Sequence, residues 1–331
     1  MGVFNVEFEP EDLLMRFHSI CILLLFYVLA SACTKTASTA EVKQSPSPVP
    51  AAQNVDHELE RRLKTISDGA QGTVGLSVVH IESGKTVSIN GDSRLPLYSV
   101  YKLPLAITVL KDVEEKRLRL DQKIHGTPAD VVQGTTANAA LWQKPTDYTI
   151  GQLLEFSISR SDNTSSDKLV QLVGGPLKVT EQLRSLGFQN LDIHISSGEF
   201  AKTRQNPNTG SADDLAQLLV QLHQGKILQP DEVNLLRGFM QRATTGLHRL
   251  RGDLPRGTIV ADKTGSGEPD AVTKVAKVTN DVGIITLPPG RGHLAIAVLV
   301  SGSKLPDAAQ EKLIAELARA AYDAYSKDVA K

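Results

Sequence analysis

Apolar residues recur at two different intervals along this chain, and the alternation between them outlines the fold. Leu59, Leu63 and Ile66 fall on one face of a helix predicted over 56–67. The same 3.6-residue spacing marks 149–160, 162–173, 176–186, 211–224, 230–242 and a closing amphipathic stretch at 307–326. Residues 73–81 and 85–90 carry strand composition instead and meet at Glu82-Ser83-Gly84-Lys85, which predicts a hairpin. Strand composition returns only near the other end, at 257–262, 281–287 and 293–301. Strands at both ends with helices between predict an α+β fold of two lobes. An antiparallel sheet built from both chain ends is flanked by helices, an all-helical lobe stands beside it, and the active site lies between them. The boundaries expected are 55–98 and 244–331 for the α/β lobe and 99–243 for the helical one.

One helix is apolar nearly all round. Leu103, Ala106, Ile107, Leu110 and Val113 follow the helical pattern, and Leu105 and Val109 fill the opposite side, so this helix is predicted to be buried. Pro104 is tolerated only near a helix start, which places Ser99 at or just inside the N-terminus. Ser99 and Lys102 then share a face, so the amine can lie against the hydroxyl and take its proton. The helix dipole there favours developing negative charge. Dehydration at the mouth of a buried helix is expected to push the Lys102 pKa down toward that of a usable base. Taken alone the pair is weak: S-x-x-K is common, and an N-cap serine with a surface lysine is its ordinary explanation.

The N-terminal 54 residues are of another kind. Residues 16–32 run from Arg16 through the apolar Ile20–Leu29 to Ala30-Ser31-Ala32, the layout of a secretory signal. The apolar run is too short for a comfortable membrane span. Residues 1–14 are acidic and do not suit such a signal, so the true start of the signal region 1–32 is expected at Met15. Cleavage after Ala32 would expose Cys33, which suits plain signal processing or lipid attachment. Leu29-Ala30-Ser31-Ala32-Cys33 resembles a bacterial lipobox shifted by one residue. Residues 33–54 are rich in Thr, Ala, Ser and Pro and read as an extended tether, which makes sense if Cys33 is anchored. The expectation is a periplasmic protein, either free after plain signal cleavage or held to the membrane through Cys33.

Composition narrows the function classes. The 331 residues are 41% hydrophobic with a net charge of −1, ample for a sizeable core and without the basic patch nucleic acid requires. Cys21 and Cys33 are the only cysteines, so the globular part has no disulfide to offer. The eight histidines show no H-x-H or H-x-x-x-H pair, and no zinc site is expected.

Two further stretches change the reading of Ser99. Ser161-Asp162-Asn163 falls between two helical segments, and Lys263-Thr264-Gly265 falls at a strand end. Each is ordinary alone, a helix start and a strand end. In the order S-x-x-K, S-D-N, K-T-G they are the set found in class A β-lactamases and penicillin-binding proteins. The chain therefore resembles the class A serine β-lactamases over about residues 56–326. The flanks Leu254–Asp262 and Thr279–Pro288 look like the family's strands beside the site.

The resemblance implies that Ser99 attacks the lactam carbonyl and that Lys102 takes or relays its proton. The backbone N–H groups of Ser99 and Ser266 would form the oxyanion hole, Ser161 would protonate the departing nitrogen, and Asn163 would bind the acylamide side chain. Lys263, Thr264 and Ser266 would hold the substrate carboxylate. No metal and no organic cofactor is implied, and the enzyme is expected to act as a monomer on a small-molecule β-lactam.

Two positions depart from the family. The arginine many members carry on the strand after K-T-G is expected at Val282 here, and Arg249 sits where a substitute falls; its bland alternative is a solvated loop charge. The loop that normally reads E-x-x-x-N runs from Ile193 to Gly210, with Glu199 as its only carboxylate and Thr203 four residues on. Glu199 is thus the expected deacylation base, against the alternative of a surface glutamate, and no closing ion pair can be assigned. A D,D-peptidase acting on peptidoglycan stem peptides and a penicillin-binding sensor acylated without turnover are the rival readings. Sustained turnover of a chromogenic cephalosporin separates hydrolase from binder.

Overall fold

The computed structural model describes residues 56–132, 140–269 and 277–326. Contacts divide the chain into Met1–Val49 and Pro50–Lys331, and every described residue belongs to the second unit. The signal region, Cys33 and the whole tether lie outside the described residues.

Asp56 caps α1 (His57–Asp68) by accepting a hydrogen bond from Leu59 N. Two strands follow, β1 (Thr73–His80) and β2 (Thr86–Ile89), then the short β3 (Leu95–Pro96). A single 3₁₀ turn, Tyr98–Tyr101, runs into α2 (Lys102–Glu114), whose residues Lys102 to Leu110 are all buried. The predicted central helix is therefore present, with Ser99 in the tighter turn before it.

The middle of the chain contributes β4 (Lys123–Gly126), β5 (Thr146–Thr149), α3 (Ile150–Ser159), α4 (Asn163–Leu172) and α5 (Pro176–Ser185). Next come β6 (Leu191–Asp192), α6 (Ser197–Thr203), β7 (Thr209–Gly210), α7 (Ala212–His223) and α8 (Pro230–Gln241). The chain then forms β8 (Val260–Gly267), β9 (Val278–Thr286), β10 (His293–Ser301) and α9 (Asp307–Ser326).

The main sheet runs β2-β1-β10-β9-β8 and is antiparallel throughout, so the two chain ends build one sheet as the strand pattern predicts. Alternate strand residues feed two cores. Val74, Leu76, Val78, Ile296 and Val298 pack with α1 and α9, while Val79, Ala261, Ile284, Ala297 and Leu299 join the helical lobe around α2. Lys263-Thr264-Gly265 lies inside β8 rather than at a strand end, because β8 continues through Gly267. Two small ladders, β4-β5 and β3-β7-β6, and the helix α6 were not visible in the apolar spacing.

Candidate active site

The site is built where the Ser99 turn presses against β8. A Cβ on Gly265 would lie 2.4 Å from Leu97 O, and one on Gly267 would lie 2.0 Å from the Tyr98 ring. Both positions therefore require glycine for this approach. Asn280, on β9, donates from its side-chain amide to Pro96 O (2.8 Å) and Leu97 O (3.2 Å) and accepts from Val300 N (3.1 Å). The segment leading into Ser99 is thus bolted to the sheet.

Lys102 is fully buried. Its Nζ donates to Ser161 O and to Asn163 Oδ1, each at 2.6 Å, and lies 3.3 Å from Ser161 Oγ. Burial, then the charge of Lys263, pushes its pKa well below the ordinary lysine value. A neutral amine has two hydrogens and one lone pair. The two short contacts use the hydrogens, which leaves the lone pair for a hydroxyl proton. No hydrogen bond joins Lys102 to Ser99 among the described residues, because Ser161 and Asn163 hold the amine. Lys263 is likewise fully buried, and its Nζ donates to Ser161 Oγ (3.1 Å) and Thr264 O (2.8 Å). Burial lowers its pKa to about 7, with Arg249 adding to the shift and Asp262 and Asp281 opposing it. The Ser161 hydroxyl therefore stands between two buried amines.

Ser161 reaches that position through a left-handed backbone, φ 55°, uncommon for a residue with a side chain. Asp162 sets it. Its carboxylate caps α4 by accepting from Ser165 N at 2.6 Å and also accepts from Trp142 Nε1 at 3.3 Å. Trp142 is 1% exposed and stacks obliquely on Tyr148, so it supports this turn from the core rather than forming a pocket edge.

At the other end of the site the Thr264 hydroxyl shares a 2.7 Å hydrogen bond with Thr245. Arg249 is 8% exposed and packed beneath the sheet, not solvated. Its guanidinium donates to Ser266 Oγ (2.7 Å), Gly265 O (3.2 Å), Asn280 O (2.9 Å) and Glu311 Oε1 (3.1 Å). Val282 pairs with Lys263 and is buried in the core on the helical-lobe side. The β9 position opposite Ser266 is Thr279, whose hydroxyl donates to Gln310 of α9 at 2.7 Å. The strand position on Arg249's side of the sheet is therefore Thr279, three residues earlier than expected. Arg249→Ala is expected to lose about 1.5–3 kcal/mol of anion binding transmitted through Ser266. It also removes a donor from Glu311 and from two carbonyls, so the melting temperature should fall too. Arg249→Lys, which keeps the charge but loses the fork, should recover binding only in part; full recovery would leave Ser266 positioning without support.

Ser99, Asn163 and Ser266 line one pocket together with Tyr98, Tyr101, Ser196, Ser197, Phe200, Asn206 and Asn208. Among these there is no carboxylate. Glu199 is not brought to the site. It is exposed, and its carboxylate turns back to accept from Ser196 N at 2.7 Å while Ser196 Oγ accepts from Glu199 N, a reciprocal cap on α6. The residue at the pocket is Ser197, whose hydroxyl meets the buried Tyr101 hydroxyl at 2.9 Å. The carboxylate behind this wall is Asp167. It accepts from Ser196 Oγ (3.0 Å) and Gly198 N (2.8 Å), and burial holds its pKa above the usual aspartate value. Asn208 ties the two ends of the loop together. Its side chain accepts from His194 N (2.8 Å) and Ile195 N (3.0 Å) and donates to Ile195 O (2.9 Å). Just before the loop, Arg94 and Arg184 both pair with Asp192.

The β-lactamase enzyme family matches residues 58–325. The chain is 34% identical to the extended-spectrum β-lactamase PER-1 of Pseudomonas aeruginosa over 80% of its own length and 86% of that protein. The β-lactamase VEB-1 of the same species is 31% identical over 81% of this chain and 90% of its own. This chain belongs to the β-lactamase enzyme family. Among solved structures, a β-lactamase from Chitinophaga pinensis DSM 2588 aligns with a TM-score of 0.77 at 36% identity, covering 81% of this chain and 99% of that one. The crystal structure of TLA-1 extended-spectrum β-lactamase gives 0.76 at 33% over 82% and 99%. In this β-lactamase, Ser99, Lys102, Ser161, Asn163, Lys263, Thr264 and Ser266 converge as the three motifs predict. Arg249 joins them through Ser266. Asn280, Asp162, Asp167, Tyr101, Ser197 and Asn208 position them, and of these local spacing marks only Asp162, inside the S-D-N motif.

Proposed function

We propose that this β-lactamase hydrolyses β-lactams through an ester on Ser99, acting as a monomer. The observation that carries the reading is the unbroken line from the Lys102 amine through the Ser161 hydroxyl to the Lys263 amine beside the Ser99 pocket. In acylation Ser99 Oγ bonds to the lactam carbonyl carbon, and its proton moves to the Lys102 lone pair. The backbone N–H groups of Ser99 and Ser266 receive the developing oxyanion, a contribution worth about 10²–10³ in rate per donor. The C–N bond breaks as Ser161 gives its proton to the nitrogen, and the Lys102 ammonium restores it. The Lys263 ammonium and the Thr264 and Ser266 hydroxyls hold the substrate carboxylate, with Arg249 fixing Ser266.

With no carboxylate lining the pocket among the described residues, the base left for deacylation is Lys102, neutral again after the first half-reaction. Water then bonds to the ester carbon while its proton passes to Lys102, and that proton returns to Ser99 Oγ as the ester opens. Deacylation is expected to be the slow step, giving a burst followed by sustained turnover of a chromogenic cephalosporin. Glu199→Gln should keep the wild-type steady-state rate. A 10²–10⁴-fold fall in that variant, with an adduct that persists, would return Glu199 to the role of base. A burst without turnover in wild type would make the protein a penicillin-binding sensor.

The protein is also proposed to reside in the periplasm on a lipid at Cys33, supported by the apolar signal, the small residues before Cys33 and the tether behind it. Expressed from Met15, wild type should partition with membranes and Cys33→Ser should not. Equal partition would mean plain signal cleavage.

A further inference from the structure

The fold gathers a metal-ligand set that the histidine spacing does not reveal. Glu82 lies in the turn between β1 and β2, His223 is the last residue of α7, and His293 is the first of β10. One ligand atom from each of the three lies within 4.8 Å of the others. The imidazoles of His223 and His293 are 4.3 Å apart between ring centres, tilted by 48°. The Glu82 carboxylate is held on His293, accepting from its backbone N and facing its Nδ1, each at 2.8 Å.

Two features show that this arrangement is built rather than incidental. Gly292 has φ +82°, and a Cβ there would lie 2.0 Å from Glu82 Oε2, so the carboxylate is seated over a bare α-carbon. His223 Nδ1 is buried and has no hydrogen-bond partner, an uncommon state for a polar ring atom. The neighbouring His80 is not part of the set. Its Nδ1 is taken by Ser83 Oγ and its Nε2 by Arg291 O, both at 2.7 Å.

We propose that Glu82, His223 and His293 bind one zinc(II) ion, with water in the fourth position. Two imidazoles and a carboxylate suit zinc, and bonds of about 2.0–2.2 Å put tetrahedral ligand atoms roughly 3.4 Å apart. Closing from 4.8 Å needs only side-chain rotation in the exposed Glu82 and the two half-buried rings. The ion would clip the end of α7 and the β1–β2 turn to the start of β10. It would stand well away from the chemistry. His293 is seven residues along β10 from Val300, the residue in line with Thr279 and Ser266, a span of about 24 Å.

The test uses the full chain in a Cys21→Ser/Cys33→Ser background, so that no thiol competes, stripped with chelator and titrated with zinc chloride in a calorimeter. One site per chain is expected, with the melting temperature raised by about 5 °C or more at a hundredfold excess over the dissociation constant. His223→Ala and His293→Ala should each weaken binding at least tenfold, and Glu82→Gln should too. All three should hydrolyse a chromogenic cephalosporin at the parent rate, which also shows that they fold. Absence of a one-to-one site, or a site that survives both histidine variants unchanged, would overturn the assignment.

Discussion

Replacing Lys102 by alanine is expected to slow acylation by about 10²–10⁴, the usual cost of a lost general base. The geometry gives the reason. Lys102 Nζ is the atom whose lone pair is left over once Ser161 O and Asn163 Oδ1 have taken its two hydrogens at 2.6 Å. Without it Ser99 must give its proton to water, and Ser161 has no ammonium to restore its own. Deacylation should suffer in parallel, because the same amine serves both halves. The two lysines also set the pH profile. Activity requires Lys102 neutral and Lys263 charged. Burial and the charge of Lys263 push the Lys102 pKa well below the ordinary lysine value, toward the neutral amine, whereas Lys263, lowered to about 7, loses its charge as the pH rises through that value. The kcat/KM for a carboxylate-bearing substrate should therefore fall above about pH 7. The alkaline limb of kcat should lie higher, because the bound anion favours the ammonium. A kcat/KM that stays flat from roughly pH 6 to pH 9 would contradict the assigned states of these amines.

Replacing Ser99 by alanine has the largest expected effect. The Ser99 side chain makes no hydrogen bond among the described residues and is half-buried at the pocket, so its removal should leave the melting temperature nearly unchanged. Chemistry has no other entry. Ser161 is held between two amines, and Ser197 is paired with Tyr101. Turnover is expected to fall by roughly 10⁴–10⁶, the range for deletion of a nucleophile whose partners stay in place. Binding of the intact drug should survive, since Lys263, Thr264 and Ser266 remain. A Ser99→Ala protein that still turns over substantially would mean that another serine of the site is the nucleophile.

How much of this was legible in the sequence depends on what each residue answers to. The sheet from both chain ends, the buried α2 and the three motifs could be read directly, because apolar periodicity and short spacings are local properties. Ser99, Lys102, Ser161 and Lys263, which the structure brings together, could be named for that reason. The structure turns the Glu199 carboxylate away from the pocket lining, which counting carboxylates in a loop could not show because it ignores helix formation. Ser196 three residues before Glu199 is a capping box, and the side chain goes to the backbone of α6 instead of the pocket. That signal was present in Ser196-Ser197-Gly198-Glu199 and could have been used. Arg249 could be named from its own stretch, but Thr279 required the β8–β9 register, which no single stretch contains. The Glu82, His223 and His293 cluster is the extreme case. Its members are separated by up to 211 residues, so a search for neighbouring histidines could not find them. The loop closure by Asn208 was hidden likewise, because an asparagine that satisfies three backbone groups looks like any turn residue until its partners are in place.

The central claim is that the chain works through an ester at Ser99. Wild type mixed with a penicillin and quenched in acid during the burst should show a mass increase equal to one intact drug molecule. Peptide mapping should place it on the fragment containing Tyr98-Ser99-Val100-Tyr101, and Ser99→Ala treated identically should show none. An adduct mapped to another serine, or hydrolysis that proceeds with no covalent species at any quench time, would contradict it.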